Sequence, residues 1–276
     1  TKLSLQEVFI LSLNNGRKKI LISNDDGIGS EGLRALREEL SKVCDVYVMA
    51  PSDNQSGVSS RISLGKKLEF VKVSENEYSC SGTPADCVIS ALCHDFFGFG
   101  SDNKNGKYVK FDAVFSGINR GPNLGTDTLY SGTIAAARQA ALYSFPGIAV
   151  SLESPEFDYS DSNFNFAPLA KFCAENLDSL ISLCKNGLFV SINALSSEKY
   201  SRAEFTSLCR RDYNDNLEIL EKSAEKCAGA CRGGKIVTEG GSDCDYLAVR
   251  NGKISISLIH VNPESEKYSG EIEFKF

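Results

Sequence analysis

Ile20-Leu21-Ile22-Ser23-Asn24-Asp25-Asp26-Gly27 sets three apolar residues directly before two adjacent carboxylates, and Gly27-Ile28-Gly29-Ser30-Glu31-Gly32 follows. A short apolar run bounded by a polar turn reads as a buried strand. Behind it Leu33, Leu36, Leu40 and Val43 recur at helical spacing, with Arg34, Arg37, Glu38 and Glu39 between them. That spacing predicts an amphipathic helix. Like charges side by side at a strand end repel unless a cation or a shared proton intervenes. Strand, acid pair and helix form the unit from which the rest of the chain is read.

The alternation continues outward. Asp45-Val46-Tyr47-Val48-Met49-Ala50 reads as a second strand stopped by Pro51, and the loop after it carries Asn54-Gln55-Ser56-Gly57. Residues 68–73 and 77–80 alternate as a half-exposed hairpin pair. Thr83-Pro84-Ala85-Asp86 is a helix start, with a Thr cap, Pro at the first position and an acid three residues after the cap. Its helix is expected to run to about Phe96, followed by a polar loop over residues 98–107. Asp112-Ala113-Val114-Phe115-Ser116 is a further buried strand, feeding a loop rich in Gly and Asn and a helix from Ser131; residues 147–151 form another strand.

Such alternation predicts an α/β, Rossmann-like fold, a mostly parallel sheet with helices on both faces. Ligands of such sheets bind at the carboxyl ends of the strands. The Asp25/Asp26, Asn54–Gly57 and Asn119 loops all follow strands, so all three belong on that edge.

From Pro155 the texture changes. Residues 156–165 are polar and aromatic, 167–184 fit a helix, 188–193 a strand, and a helix is expected around 217–227. Gly233-Gly234 and Gly240-Gly241 bracket a short strand, and residues 246–250 and 253–259 read as a hairpin turning at Asn251-Gly252. Three regions are expected: an N-terminal extension (1–18), a Rossmann-like metal- and phosphate-binding core (19–153), and the remainder of the α/β core (154–276) with a β-hairpin/helical oligomerisation arm.

Composition narrows the chemistry. A formal net charge of −6 argues against nucleic-acid duplexes, although a small anion can still be taken where a local cation or helix terminus neutralises it. Histidine occurs only as His94 and His260, which excludes a three-histidine zinc site. Ten cysteines are scattered through predicted strands and helices, and Cys227-x-x-x-Cys231 is the one close pair, so reduced thiols are expected. No stretch approaches the ~20 apolar residues of a membrane span, and the apolar Val8-Phe9-Ile10-Leu11 lacks a basic start and a small-residue cleavage site. A cytoplasmic protein without a membrane partner is expected.

Gly27-x-Gly29-x-x-Gly32 formally matches the dinucleotide-binding fingerprint. Two carboxylates beside a bound pyrophosphate would repel it, and the second strand ends in Ala50-Pro51 with no acid for a ribose hydroxyl. A hard divalent cation, Mg²⁺ or Mn²⁺, suits the acids better. The neutral oxygens of Ser56 and Asn119 can complete the shell. Capping of the next helix is the bland reading of either acid alone, but it explains only one of the two. Ser131-Gly132-Thr133, at a helix start, is the candidate phosphate cradle. The amides of Asn119 and Asn123 are further donors, and the glycines of Ser116-Gly117-Ile118-Asn119-Arg120-Gly121-Pro122-Asn123-Leu124-Gly125 let the backbone approach a ligand. Thr83-Pro84 reads as mainly structural.

Asn24-Asp25-Asp26-Gly27, Ala50-Pro51 with Gln55-Ser56-Gly57, Gly82-Thr83-Pro84-Ala85-Asp86-Cys87, the segment from Ser116 to Gly125, and Tyr130-Ser131-Gly132-Thr133 together resemble the survival protein SurE family, in that family's order. Asp243-x-Asp245-Tyr246 and Gly252-x-Ile254-Ser255-Ile256 resemble its C-terminal hairpin. The resemblance implies a metal-dependent phosphatase acting on nucleoside 5′- and 3′-monophosphates and other small phosphomonoesters. It implies one cation per subunit, held at Asp25, Asp26, Ser56 and Asn119, and a homodimer or homotetramer built through an exchanged C-terminal arm. Asn24 and Gly57, inside the matching blocks, are placed with Asn119, Asn123, Ser131, Gly132 and Thr133 on the phosphate and substrate side. The chain departs from the family at the N-terminal extension, at Lys253 where an aromatic is common, and over residues 196–234. Two other readings stand beside this one: an aspartyl-phosphate phosphatase with Asp25 or Asp26 as nucleophile, and a metal- and nucleotide-binding sensor without turnover.

Overall fold

Successive residues of a strand point to opposite faces of a sheet, and β1 (Lys19–Ser23) uses this to join two cores. Ile20 and Ile22 enter one apolar layer and Leu21 the other, all fully buried. The computed structural model describes residues 16–99, 109–155, 164–185, 187–263 and 265. The expectations for the extension before residue 16, for most of the 98–107 loop and for 156–163 fall outside those residues.

From β1 the chain runs through α1 (Glu31–Leu40) to β2 (Asp45–Pro51), then β3 (Phe70–Ser74), β4 (Glu77–Cys80), α2 (Pro84–Cys93) and β5 (Ala113–Arg120). A 3₁₀ turn (Gly125–Leu129) leads to α3 (Gly132–Leu142), β6 (Gly147–Glu153), α4 (Ala167–Glu175), α5 (Leu177–Leu183) and β7 (Leu188–Leu195). Six further strands, β8 (Ala203–Phe205), β9 (Arg210–Asp212), β10 (Asn216–Lys222), β11 (Cys227–Arg232), β12 (Val237–Glu239) and β13 (Ile254–His260), accompany α6 (Asp245–Arg250).

Nine strands form the main sheet in the order β3-β4-β2-β1-β5-β6-β7-β13-β8. Pairing is parallel from β4 through β7, with β3 and β13 antiparallel to their neighbours β4 and β7. Helices α1 and α4 pack together over one face and α2 and α3 over the other. The fold is therefore the α/β, Rossmann-like architecture that the alternation implied. The chain leaves β1 toward β2 on one side and returns to β5 on the other, so the carboxyl ends of β1 and β5 flank a topological switch point.

Local chemistry explains the starts of the first two helices. Ser30 caps α1 by accepting from Leu33 N–H, and Thr83 and Asp86 form a reciprocal capping box at α2, as read. Several boundaries shift. Helix α1 stops before Val43, which is exposed, and α2 ends at Cys93 because His94 is extended. The helix expected over 167–184 breaks at Asn176, which closes α4 and opens α5.

Two expectations are corrected. The helix expected around 217–227 is instead the hairpin β10–β11, with Leu217 opposite Cys231 and Ile219 opposite Gly229. Its apolar residues alternate with Glu218 at period two, the strand period. Residues 245–250 are helix α6 rather than a hairpin strand. Gly252, at φ +68, follows the last turn and its cap Asn251, so the Asn-Gly signal marks a helix C-terminus. All ten cysteines are free; Cys227 and Cys231 are exposed, and Cys44, Cys80, Cys87, Cys173, Cys209 and Cys244 are buried.

The glycines after β1 serve packing. A Cβ on Gly32 would stand 1.9 Å from the Ile118 carbonyl oxygen, whereas one on Gly29 would meet nothing within 4 Å. Helix α1 thus touches β5 through bare backbone. Gly32→Ala is expected to destabilise the protein by roughly 1–3 kcal/mol or more in urea unfolding, while Gly29→Ala stays within about 0.5 kcal/mol. Equal effects of the two would discount this contact.

Candidate active site

The turn after β1 is built by Asn24. Its amide nitrogen donates to Gly27 O (2.9 Å) and Ser30 Oγ (2.7 Å), and its Oδ1 accepts from Gly27 N–H (3.2 Å). Fully buried and spent on the turn, Asn24 does not line the cleft beyond it. Its hydrogen bonds fix the turn that carries the acids, where the sequence reading set it on the substrate side.

Asp25 is only 3% exposed. Thr133 N–H donates to its Oδ2 (3.1 Å), and Thr133 Oγ1 makes a very short hydrogen bond to its Oδ1. Burial pushes the Asp25 carboxyl up, against the opposing pull of the Thr133 hydroxyl and the Thr133 and Gly132 amides. A Cβ on Gly132 would stand 2.8 Å from Asp25 Cβ, so only glycine fits there. The helix start read as a phosphate cradle is therefore engaged by Asp25. A helix N-terminus stabilises any anion, and here the anion is a side chain of the chain itself. Thr133 and Gly132 position Asp25, while Ser131, which caps α3 by accepting from Ile134 N–H (3.1 Å), still lines the cleft.

Asp26 is half-buried, and its Oδ2 accepts from Arg120 N–H at 3.0 Å. Burial pushes its carboxyl up to about 6, with the Asp25 charge adding to the rise. Asn119 Nδ2 donates to Gly121 O (2.8 Å), so Oδ1 is the side-chain atom with the lone pairs to offer a cation. The Ser56 loop is tied to the acids by backbone: Gln55 N–H donates to Asp25 O (2.7 Å), Ser59 N–H donates to Tyr130 O (2.9 Å), and Gly57 turns the chain at φ +73. Asn123 is buried; its Nδ2 donates to Ser151 Oγ (2.8 Å) and its N–H to Asn193 Oδ1 (2.7 Å).

Asp25, Ser56, Gly57, Asn119, Asn123 and Ser131 line one cleft of about 500 Å³, within the size range of small-molecule sites. Arg120 lines it as well, with its guanidinium 5.0 Å from the centre of the Phe164 ring. Loops after three different strands thus meet, as their common edge requires. The glycines of the 117–125 loop are used otherwise than expected. A Cβ on Gly117 would stand 2.2 Å from Val150 O, and one on Gly125 2.0 Å from Cys209 O, so both admit neighbouring backbone.

The donor set decides which metal fits. Among the described residues, no group of three or more His, Cys, Asp and Glu is placed to hold a metal ion. Two carboxylates completed by amide and hydroxyl oxygens make an all-oxygen set, suited to a hard divalent cation. The upward shift of both acids adds a physical reason, since burial of each, and the Asp25 charge acting on Asp26, favour a compensating positive charge.

Sequence reasoning missed Asp127, Arg211 and Tyr213, which also line the cleft. Arg211 and Tyr213 lie in a stretch without strong periodicity. Asp127 alone had a local signal: it follows Leu124 by three residues and accepts from Leu124 N–H (3.1 Å).

Comparison with known proteins follows the same lines. The family model described as "Survival protein SurE" matches residues 20–215. A protein from Treponema pallidum named 5′-nucleotidase SurE is 39% identical over 197 residues, covering 70% of this chain and 99% of its own. A relative of the same name from Vibrio parahaemolyticus is 33% identical over 262 residues, covering 91% of this chain and 92% of its own. Among solved structures, the SurE protein from Aquifex aeolicus matches with a TM-score of 0.70 at 29% identity, covering 88% of this chain and 94% of that one.

Thr133→Val keeps the side-chain shape and removes the hydroxyl from a buried carboxylate. It is expected to cost about 1–3 kcal/mol of stability near neutral pH in urea unfolding. An unchanged midpoint would mean that this hydrogen bond does not hold Asp25.

Proposed function

The chain belongs to the SurE family, and on that premise we propose that it is a divalent-metal-dependent phosphomonoesterase hydrolysing nucleoside 5′- and 3′-monophosphates to nucleoside and phosphate. The observation that carries this reading is the pair of adjacent acids: Asp25, pinned by the start of α3, lines a cleft shared with Ser56 and Asn119, and Asp26, next to it in the chain, is engaged by Arg120 N–H. The relatives named 5′-nucleotidase SurE support the reaction class.

Asp25, Asp26, Asn119 and Ser56 would hold one Mg²⁺ or Mn²⁺ per subunit. Such an ion polarises a phosphoryl oxygen and lowers the pKa of water when bound. The chain's own residues do the rest. Both Asp25 oxygens accept from Thr133, which fixes the carboxylate without exhausting its lone pairs. Asp26 is engaged at Oδ2 by Arg120 N–H, so Oδ1 is the oxygen that orients the attacking water. Asn123 and Ser131, with the backbone at Gly57, face the phosphoryl oxygens from the opposite loops, where fixed donors stabilise charge as it develops. The O–P bond formed from water replaces the ester O–P bond, and the water's proton ends on the nucleoside hydroxyl.

Residues 19–153 form the metal- and phosphate-binding part, and residues 154–276 complete the sheet and carry the pairing arm. The exposed Leu217, Ile219 and Leu220 of the β10–β11 hairpin support assembly into a homodimer or homotetramer through this region. Among the described residues no helix is long and apolar enough to cross a membrane. Ten free cysteines support the cytoplasm as its compartment.

Two tests bear on the reaction. A panel of nucleoside monophosphates run with Mg²⁺, Mn²⁺ and chelator is expected to release phosphate only where a metal is present. Asp25→Asn is expected to lower kcat/KM by at least about 100-fold at saturating metal. Retention of most activity by that variant would remove Asp25 from the site.

A further inference from the structure

The proposed chemistry uses only part of the cleft's lining. Besides Asp25, Asn119 and Ser131, the same cleft is lined by Tyr130, Tyr213, Asp215 and Ile236. Tyr213 and Ile236 flank β9 and β12, which pair with each other as a separate two-stranded sheet. Nothing in that small sheet's own pairing fixes it against the cleft, so side chains must.

They do so through one buried clamp. Arg211 Nη1 lies 2.5 Å from Asp127 Oδ2, and the two side chains are 6% and 10% exposed. Tyr213 Oη donates to Asp127 Oδ1 (2.6 Å), and the Arg211 guanidinium stands 5.3 Å from the centre of the Tyr213 ring. Arg211 N–H also donates to Thr126 Oγ1 (2.8 Å). Behind the clamp, the Asp245 carboxylate accepts from Gly125 N–H (2.7 Å) and Cys209 N–H (3.0 Å), joining the same two segments. The phenol is thus held at its hydroxyl with Arg211 over its ring, and the side chain so fixed lines the cleft. Desolvating a charge pair is expensive, and apolar residues would join the two segments at lower cost. The clamp is better explained by what it orients.

An aromatic ring beside an aliphatic side chain is a surface on which a nucleobase stacks. The Asp215 carboxylate in the same lining repels phosphate and accepts N–H or O–H donors. Phosphate is therefore assigned to the Asn119 and Ser131 side of the chemistry and the base to Tyr213. We infer that Tyr213 and Ile236 form the base-binding wall of the site, with Arg211 and Asp127 as the positioning pair that holds it. This inference rests on the nucleotidase reading and adds which residues tell a nucleotide from a bare sugar phosphate.

The full chain is assayed with Mn²⁺ on two substrates, AMP and ribose 5-phosphate, which share everything but the base. Tyr213→Ala is expected to raise KM for AMP roughly tenfold, with ribose 5-phosphate changed by less than about twofold, the scatter of a neutral surface change. Ile236→Ser, at an exposed position that does not threaten the fold, is expected to act in the same direction. Arg211→Lys, which keeps the charge and loses the planar fork, is expected to raise KM for AMP while kcat on ribose 5-phosphate holds. Proportional loss on both substrates, or none on AMP, would overturn the assignment. Adenosine binding, read by saturation-transfer NMR without metal, tests the wall without turnover: the wild type is expected to give a signal that Tyr213→Ala abolishes, and an equal signal from both counts against it. A wild type that binds adenosine at Tyr213 but hydrolyses neither substrate would sink the nucleotidase reading alone.

Discussion

One carboxylate on one helix end sets the geometry of the whole edge. Asp25 follows β1, and α3 begins after β5 and the 3₁₀ turn, so their contact ties the two strands that flank the switch point. The Asp25 carbonyl, through Gln55 N–H, ties in the loop after β2 as well. A buried charge is costly unless hydrogen-bonded, and here backbone amides of a helix start and a threonine hydroxyl meet that demand together. Gly132 is part of the same constraint, because a side chain there would displace the acid. The three loops converge because a single residue, by main chain and side chain, is bonded to the other two.

Much of this was legible in the sequence. Apolar runs alternating with helical spacing specify a parallel sheet covered on both faces, and a strand ending in two acids specifies where its ligand lies. Ser30 and Thr83 were readable as caps because capping has a fixed spacing. That Asp25, Ser56 and Asn119 share one cleft was readable because strand ends share an edge whatever the loops between them do. The reading stopped where one local pattern serves two purposes. Ser131-Gly132-Thr133 is a helix start with free amides, and nothing local says whether those amides face a phosphate or an aspartate 108 positions away. Asn251-Gly252 supplies a positive φ, which both a hairpin turn and a helix end require.

The remainder was hidden for a different reason. Arg211, Asp127 and Tyr213 are joined by contacts more than 80 positions apart in the chain, and the elements that carry them are too short and too exposed to show a period. Strands of three residues such as β9 and β12 leave no hydrophobic signature. Their place is set by an ion pair, which has partners but no spacing.

That division gives the cleft two kinds of wall. Near the acids, α1 meets β5 at Gly32 and β5 meets β6 at Gly117, where an added atom strikes a carbonyl. The rest of the lining hangs on a few side chains beside a small sheet outside the main one. Hydrolytic chemistry and choice of leaving group are therefore housed in mechanically separate parts. A chain of this design can exchange the second without rebuilding the first, so its recognition surface is the adaptable half of the catalyst.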